Sequence, residues 1–262
     1  MSTDWVLILG ASSGFGGASA RAFAKAGYNV IGVHLDRSAT LPQAVAVQAA
    51  VRDEGRACHF FNVNAADDTK RTETIAAIED ILKKENGRVQ VLLHSLAFGS
   101  LLPFLPNESG KSLSTKQMTM TLEVMGHSLV WWTRDCVNSG ILGAGGRVFA
   151  MTSSGSHSAF HAYGAVGAAK ATLESHVRYL AMELAPQKIT VNAILAGVTD
   201  TPALAKIPGH EQLLSGALAR NPSGRLTQVE DVANCLVELS RPGTHWLTGN
   251  VLRVDGGEDI CS

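Results

Sequence analysis

Tyr163 and Lys170 are the two side chains in this sequence best placed to move a proton together. A phenol and an amine can each give or take a proton once their surroundings adjust their pKa. They stand seven positions apart. At about 100° per residue the lysine returns to within about 20° of the tyrosine's face, about 10 Å along a helix. Both can therefore point into one cleft. The position four after the tyrosine is Gly167, which has no side chain to offer. The plainer alternative is a packed tyrosine on an amphipathic helix and a surface lysine. A second feature is Gly10-Ala-Ser-Ser-Gly14-Phe-Gly16. Gly10 permits a tight turn, Gly14 lets the backbone approach a pyrophosphate, and Gly16 allows a helix to pack closely on a strand. The N-terminus of that helix offers free N–H groups and a positive dipole end. Ordinary turns mimic a glycine triplet, so its context decides its meaning.

That context is a series of alternating elements. Strands are predicted at Val6–Leu9, Val30–Val33, His59–Val63, Val89–His94, Arg147–Thr152, Thr190–Leu195 and Asn250–Val254. Helices are predicted at Gly16–Ala26, Leu41–Glu54, Asp67–Asn86, Lys116–Ser139, Ala159–Leu184 and Val229–Leu239. Such alternation predicts right-handed βαβ units in one α/β domain spanning residues 1–262, a Rossmann-type, doubly wound parallel sheet of about seven strands with helices on both faces. The strands read as unbroken apolar runs, as strands covered on both sides do. Two excursions, Phe98–Thr115 and Thr199–Thr227, fit neither pattern, and both follow strand ends that should border a ligand crevice.

Composition narrows the classes. With 262 residues, 45% hydrophobic and 17% charged, the chain suits a folded enzyme rather than a disordered one. A net charge of -1 offers no basic field to nucleic acid or anionic membrane. No apolar run approaches the roughly 18 residues that span a bilayer, and the start of the chain leaves no room for a signal peptide. Cys58, Cys136, Cys235 and Cys261 are scattered without metal-ligand spacing, and the histidines form no HExxH, so no metal is expected. Reduced thiols and a cytoplasmic location follow as expectations.

Spaced as GxxxGxG, the loop resembles that of short-chain dehydrogenases/reductases. The resemblance runs along nearly the whole chain, through Asn62-Val63, Ser95-Leu96-Ala97, Tyr163 to Lys170, Ala196-Gly197-Val198-Thr199-Asp200-Thr201, and Val254-Asp255-Gly256-Gly257. It implies that Gly10, Ser12, Ser13, Gly14, Phe15 and Gly16 cradle a dinucleotide. It further implies Asn62 and Val63 beside the adenine, Ser95, Leu96 and Ala97 along the ribose, Gly197 and Val198 at the nicotinamide amide, and Thr201 near the phosphates. Most of this family uses YxxxK; the YxxxxxxK spacing here is similar to that of enoyl-acyl-carrier-protein reductases, the divergent branch. Tyr163-Gly-Ala-Val-Gly-Ala-Ala-Lys170-Ala-Thr-Leu-Glu, Arg178-Tyr-Leu-Ala-Met-Glu-Leu and Asn221-Pro-Ser-Gly-Arg225 resemble the NADPH-dependent type III enzymes, and His94-Ser95-Leu96-Ala97-Phe98 the type I enzymes. In such enzymes the lysine anchors the nicotinamide ribose and polarises the tyrosine, which stabilises and protonates an enolate oxygen. In ketone reduction hydride lands on the carbon bearing the oxygen, about 1.2 Å away; in conjugate reduction it lands roughly 3 Å from the enolate oxygen. The wider spacing sets the tyrosine one turn further back. In this alignment Ser153 takes the place of the first tyrosine of the type I pair, Thr152 that of the ketoreductase serine, and Glu123 that of the helix-four asparagine. Ser153 and Thr152 are accordingly candidate catalytic residues.

NAD-preferring members carry an acid at the end of strand two. Counting from Gly10, that place falls on His34, with Asp36 two further on. Arg37 could pair with a 2′-phosphate, although Asp36 beside it would repel one. His34 and Arg37 are thus candidate cofactor contacts, and the count favours NADP(H) over NAD(H). Phe98 and Gly99 could line an acyl channel, or Phe98 could plug the strand end. Trp131 and Trp132 suit a core or a subunit interface, His157 and His161 a solvated loop. The leading function is reduction of an enoyl thioester on a carrier protein or coenzyme A, as in fatty-acid or related acyl synthesis, by a homo-oligomer (tetramer or dimer). The alternatives are a 3-oxoacyl or other carbonyl reductase, and a dinucleotide-binding scaffold without turnover. The stretch 199–227 is apolar on one side at helical spacing over Gln212–Ala219 and suits a substrate-binding lid.

Overall fold

A computed structural model describes residues 3–106 and 110–261 of the chain. It contains β1 (Thr3–Leu9), α1 (Gly14–Lys25), β2 (Asn29–His34), α2 (Leu41–Asp53), β3 (Cys58–Asn62), α3 (Asp68–Lys84) and β4 (Gly87–His94). There follow α4 (Thr115–Leu122), a π-helical turn (Glu123–His127), α5 (Ser128–Asn138), β5 (Leu142–Thr152), α6 (Gly164–Leu184), β6 (Thr190–Ala196), α7 (His210–Arg220), α8 (Val229–Leu239) and β7 (Val251–Val254). The seven strands form one parallel sheet in the order β3-β2-β1-β4-β5-β6-β7. The order reverses between β1 and β4, so their C-terminal ends flank a crevice.

Alternation along each strand feeds two cores. Leu7 and Leu9 of β1 face one side with Ile31, Val33, Leu92 and Val148, under Ile78 of α3, Leu129 and Trp132 of α5, and Leu173 and Val177 of α6. Val6 and Ile8 face the other with Val30, Val91, Phe149 and Ile194, under Phe23 of α1, Val51 of α2 and Val232 of α8. Covering both faces leaves β2 buried throughout, from Asn29 to His34. Side-chain caps mark the starts of α3 and α4: Asp67 accepts from Lys70 N at 2.9 Å, and Ser114 and Gln117 form a capping box.

Three expected elements take a different form. The helix predicted from Ala159 begins at Gly164, because Ala162 adopts φ 57° and breaks the helical run. The predicted helix Lys116–Ser139 is divided by the π turn, where the Ser128 hydroxyl donates back to Val124 O and Gly126 sits against the Ala169 carbonyl of α6. Within 199–227 the apolar stripe forms α7, of which only Ala217 is buried. Residues 107–109 of the Phe98–Thr115 excursion lie outside the described residues. Among the described residues no helix is long and apolar enough to cross a membrane.

Candidate active site

The glycine loop leaves β1 and is held to β2, Val33 O accepting from Gly10 N at 2.8 Å and Ala11 N at 3.1 Å. Gly10 has φ +90°, and a Cβ there would strike the Ser95 carbonyl at the end of β4. A Cβ on Gly16 would strike the Gly10 carbonyl, so only glycine lets α1 start so near the strand. Gly14, at φ +52°, has nothing nearer its open face than Thr201 Cγ2 at 3.8 Å. The Ser13 side chain does not cap α1, and no acid lies in its first turn. Ser12, Ser13 and Phe15 stand partly exposed beside it. The N–H groups at this helix start therefore face a gap bounded by Thr201, which fits the pyrophosphate of a dinucleotide.

At the end of β2, His34 is buried and donates through Nδ1 to Asp36 Oδ2 at 2.8 Å. Asn62 exchanges two hydrogen bonds with the Asp36 backbone, at 3.0 and 2.9 Å, and Val63 N donates to His34 O at 2.8 Å. Burial works to raise the Asp36 carboxyl, but hydrogen bonds from Thr40, Ser12 and His34 outweigh it and hold the group below its usual range. The acid is thus turned back onto the glycine loop. Arg37 is exposed, and its carbonyl accepts from the Thr40 and Leu41 N–H groups.

Tyr163 precedes the first turn of α6, its hydroxyl 3.4 Å from Ser153 Oγ. A Cβ on Gly155 would enter the Tyr163 ring. Burial raises the tyrosine's pKa, with Ser153 countering. Two turns on, Lys170 is buried and donates to Met151 O at 2.7 Å. Burial pushes its pKa down to about 8, with Glu174 working the other way. Gly167 explains the spacing: a Cβ there would lie 2.6 Å from Gly155 O, so no side chain fits four positions after the tyrosine. Thr152 is not brought to Tyr163. It donates to Glu174 Oε1 at 2.7 Å, which leaves Ser153 as the hydroxyl neighbour. Glu123 likewise accepts from Trp131 Nε1 at 2.9 Å rather than facing Lys170.

Around this pair, Ser95 and Leu96 are half-buried while Ala97 and Phe98 are exposed. Phe98 plugs nothing in this conformation, with 60% of its surface open. Gly99 packs against α4 and α6, where a Cβ would lie 2.7 Å from Thr121 Cγ2 and 3.0 Å from Val166 Cγ2. Gly197 is similarly crowded by Thr227 and Glu258. Glu258 is the residue sequence reasoning missed. Its Oε2 accepts from Val198 N at 3.0 Å, so the N–H expected at the nicotinamide amide is already engaged. Burial raises the Glu258 pKa, with the Val198 N–H and Arg220 countering. Its signal, a buried acid just after Val254-Asp255-Gly256-Gly257, is visible in the structure and not in residue spacing. Trp132 is core, its Nε1 donating to Ala65 O at 2.8 Å. His157 pairs with Asp259 at 3.0 Å and His161 is exposed. A cavity of about 340 Å³ lined by Asn221, Arg225, Asp231, Arg253 and Gly257 lies off the Tyr163 site.

A parallel sheet with a glycine loop at its reversal and a Tyr/Lys pair over β5 defines a Rossmann-type protein of the short-chain dehydrogenase/reductase class. The family model described as enoyl-(acyl carrier protein) reductase matches residues 10–258. The chain is 32% identical over 261 residues to 1-cyclohexenylcarbonyl-CoA reductase of Streptomyces collinus, covering 98% of this chain and 87% of that one. It is 30% identical to the enoyl-acyl-carrier-protein reductase (NADH) of Aquifex aeolicus over 74% of this chain and 70% of the relative. The match to the enzyme so named from Enterococcus faecalis is 30%, over 72% and 74%. Among solved structures, an Aquifex aeolicus enoyl-acyl-carrier-protein reductase (NADH) superposes with a TM-score of 0.82 at 24% identity, covering 100% and 98% of the two chains. A Serratia marcescens short-chain dehydrogenase/reductase gives 0.82 at 21%, covering 98% of each. The chain belongs to the enoyl-(acyl carrier protein) reductase family.

These relatives correct the expected cofactor. The NADPH preference rested on His34 filling the acid's place, yet several relatives are named as NADH enzymes. The physical reason lies past the end of β2. The residue count put the recognition position on His34, which is buried, whereas the ionised acid at the loop is Asp36, fixed by Ser12, Thr40 and His34. A 2′-phosphate there would meet a carboxylate.

Proposed function

We propose that this protein reduces the double bond of an enoyl thioester with NADH. The observation that carries the reading is the seven-position Tyr163–Lys170 spacing, made obligatory by Gly167 against Gly155 O. When bound, the dinucleotide supplies the hydride. The glycine loop from Gly10 through Ser12, Ser13, Gly14 and Phe15 to Gly16 holds its pyrophosphate, and Thr201 closes over the phosphates. Asp36 accepts from the adenosine ribose hydroxyls, with Asn62 and Val63 at the adenine. Ser95, Leu96 and Ala97 border the second ribose, and Gly197 and Val198 border the nicotinamide. Lys170, cationic below about pH 8, binds the nicotinamide ribose and favours proton release from Tyr163. The Tyr163 hydroxyl donates to the thioester oxygen as negative charge develops on it. Ser153 supports that hydroxyl. Phe98 and Gly99 border the acyl group, and residues 199–227 close over it as part of the single domain 1–262. The substrate is carried on acyl carrier protein or coenzyme A, and the enzyme acts as a cytoplasmic homo-oligomer in acyl synthesis.

A carbonyl reductase is the second reading, favoured by the Ser153 hydroxyl beside Tyr163. The test runs crotonyl and acetoacetyl thioesters side by side with NADH and with NADPH. Enoyl reduction with NADH as the better donor is expected. Turnover of the 3-oxoacyl thioester alone would replace this reading with the second.

A further inference from the structure

His34 is 4% exposed, too little to meet a cofactor itself, and so its place at the end of β2 calls for another task. It pairs with Asn62 of β3, and its carbonyl accepts from Val63 N at 2.8 Å. Residues two apart on an extended chain share a side. Leu35 turns outward, 65% exposed, and His34 and Asp36 meet on the other side. There His34 Nδ1 stands 2.8 Å from Asp36 Oδ2, and neither side chain is more than 9% exposed. An ionised carboxylate can only accept, so Nδ1 carries the hydrogen of this bond.

The Asp36 main chain is fixed from the neighbouring strand. Asn62 accepts from Asp36 N at 3.0 Å and donates to Asp36 O at 2.9 Å. Those bonds set where the residue sits and leave its side-chain torsions free. A carboxylate free to turn must be ordered by each ligand that binds, at a cost in side-chain entropy. His34 removes that freedom beforehand. Its ring is buried against Phe60, centroids 5.8 Å apart, so the sheet itself aims the Nδ1–H. The other donors to the carboxylate, Ser12 and Thr40, come from the glycine loop and the N-cap of α2, outside the sheet. A carboxylate has about four acceptor sites, so three donors leave one for a ribose hydroxyl.

We infer that His34 is a positioning residue for cofactor selection, its Nδ1–H setting the Asp36 carboxylate to accept from the adenosine ribose of NADH and to repel a 2′-phosphate. This rests on Asp36 being the ribose acceptor of the function proposed above. His34→Leu keeps an apolar neighbour for Phe60 and removes the donor. The ratio of the NADPH to the NADH dissociation constant, from fluorescence titration of the protein, should then fall about fivefold, less than the full loss of a charged hydrogen bond. His34→Asn, whose side-chain N–H stands near the Nδ1 position, should restore the ratio. Equal weakening of both dinucleotides, with the ratio unmoved, would show a purely structural residue and overturn the inference. So would a change of ratio that persists when His34→Leu is added to Asp36→Ala, where no carboxylate is left to position. Nitrogen NMR of the wild-type protein decides the matter even if His34→Leu does not fold. A protonated Nδ1 whose resonance shifts in Asp36→Ala is expected; a bare Nδ1, or a resonance indifferent to Asp36→Ala, would overturn the inference. The readings fail separately. Loss of the ratio in Asp36→Ala but not in His34→Leu would reassign His34 alone, whereas an unchanged ratio in Asp36→Ala would remove the ribose assignment and this inference with it. None of these titrations depends on turnover, so failure of the enoyl-reductase reading would register only in the crotonyl thioester assay.

Discussion

The two flanks of the crevice are built differently. On the β1–β4–β5 side, backbone approaches so closely that glycine is required by contact: Gly10 against Ser95, Gly16 against Gly10, Gly155 against the Tyr163 ring, Gly167 against Gly155. On the β6 side, from Thr199 to Thr227, the glycines face open space or the ends of flexible side chains. Gly209 would meet only Gln212 Oε1 at 3.4 Å, Gly216 only Arg220 Nη1 at 3.5 Å, and Gly224 nothing. One flank is close-packed and holds the Tyr163–Lys170 pair in place before anything binds. The other is a loosely packed segment whose apolar face has few partners of its own. In the function proposed above, pre-organisation and closure fall to different parts of one sheet end.

The largest effect should come from the packed flank. Tyr163→Phe leaves the ring against Gly155 and removes the donor, so kcat should fall about a hundredfold or more with dinucleotide affinity nearly unchanged. Steady-state rates with fluorescence titration of the cofactor check this, and near wild-type turnover would remove the tyrosine from the chemistry. Gly167→Ala tests the packing itself. Its Cβ must displace the Gly155 carbonyl, 2.6 Å away, or α6. A loss of about 1–3 kcal/mol is expected in denaturant titration, the usual range for overpacking, together with a lower kcat because Gly155 underlies the tyrosine.

Most of the packed flank was readable from residues because its logic is local. Apolar runs mark most of the strands, and glycine spacing marks the turn after β1. What escaped notice depended on three-dimensional approach. Ala162 carries no sign of its left-handed backbone, so the helix before Tyr163 was expected to start too early. A residue count points to His34, while hydrogen bonds from Ser12 and Thr40 hold the Asp36 carboxylate at the glycine loop. Thr152 and Ser153 are neighbours in sequence but face opposite partners on a pleated strand end, which alignment alone did not separate. Glu258 reaches Val198 from 60 positions away, a pairing that no spacing rule anticipates.

Two further measurements probe how firmly the packed flank is set. Burial lowers the Lys170 pKa to about 8, from the 10.5 of a free lysine side chain. Between those values the unfolded chain binds more protons than the folded one, so stability attributable to this group rises with pH. Below about pH 8 the full cost of burying the ammonium is present; above about 10.5 it is gone. Wild type minus Lys170→Met should show a positive slope of at most about 1.4 kcal/mol per pH unit in that window, read from denaturation midpoints. A flat difference would mean that Lys170 is solvated. At the neighbouring loop, Asp36→Ala should weaken NADH binding about tenfold, the scale of one charged hydrogen bond, and narrow the gap to NADPH. An unchanged ratio of kcat/KM for the two cofactors would remove Asp36 from cofactor selection.

The smallest effect is expected on the β6 flank, and its smallness is the test. Gly224 has φ +70° with no atom near its Cβ position, so Gly224→Ala meets only the conformational cost of a left-handed backbone, about 1 kcal/mol. Because the segment contributes little packing to the free protein, even that cost should register as local loosening rather than as a lower global midpoint. Hydrogen exchange resolves the two. In the free wild type, residues 199–227 should exchange faster than α6, and NADH with a thioester should slow them while leaving Gly164–Leu184 nearly unchanged. Gly224→Ala should speed exchange in the free form only, since the closed form is held by its ligands. Strong and equal protection of 199–227 with and without ligand would show that this flank is as rigid as its opposite. The asymmetry between scaffold and lid would then disappear.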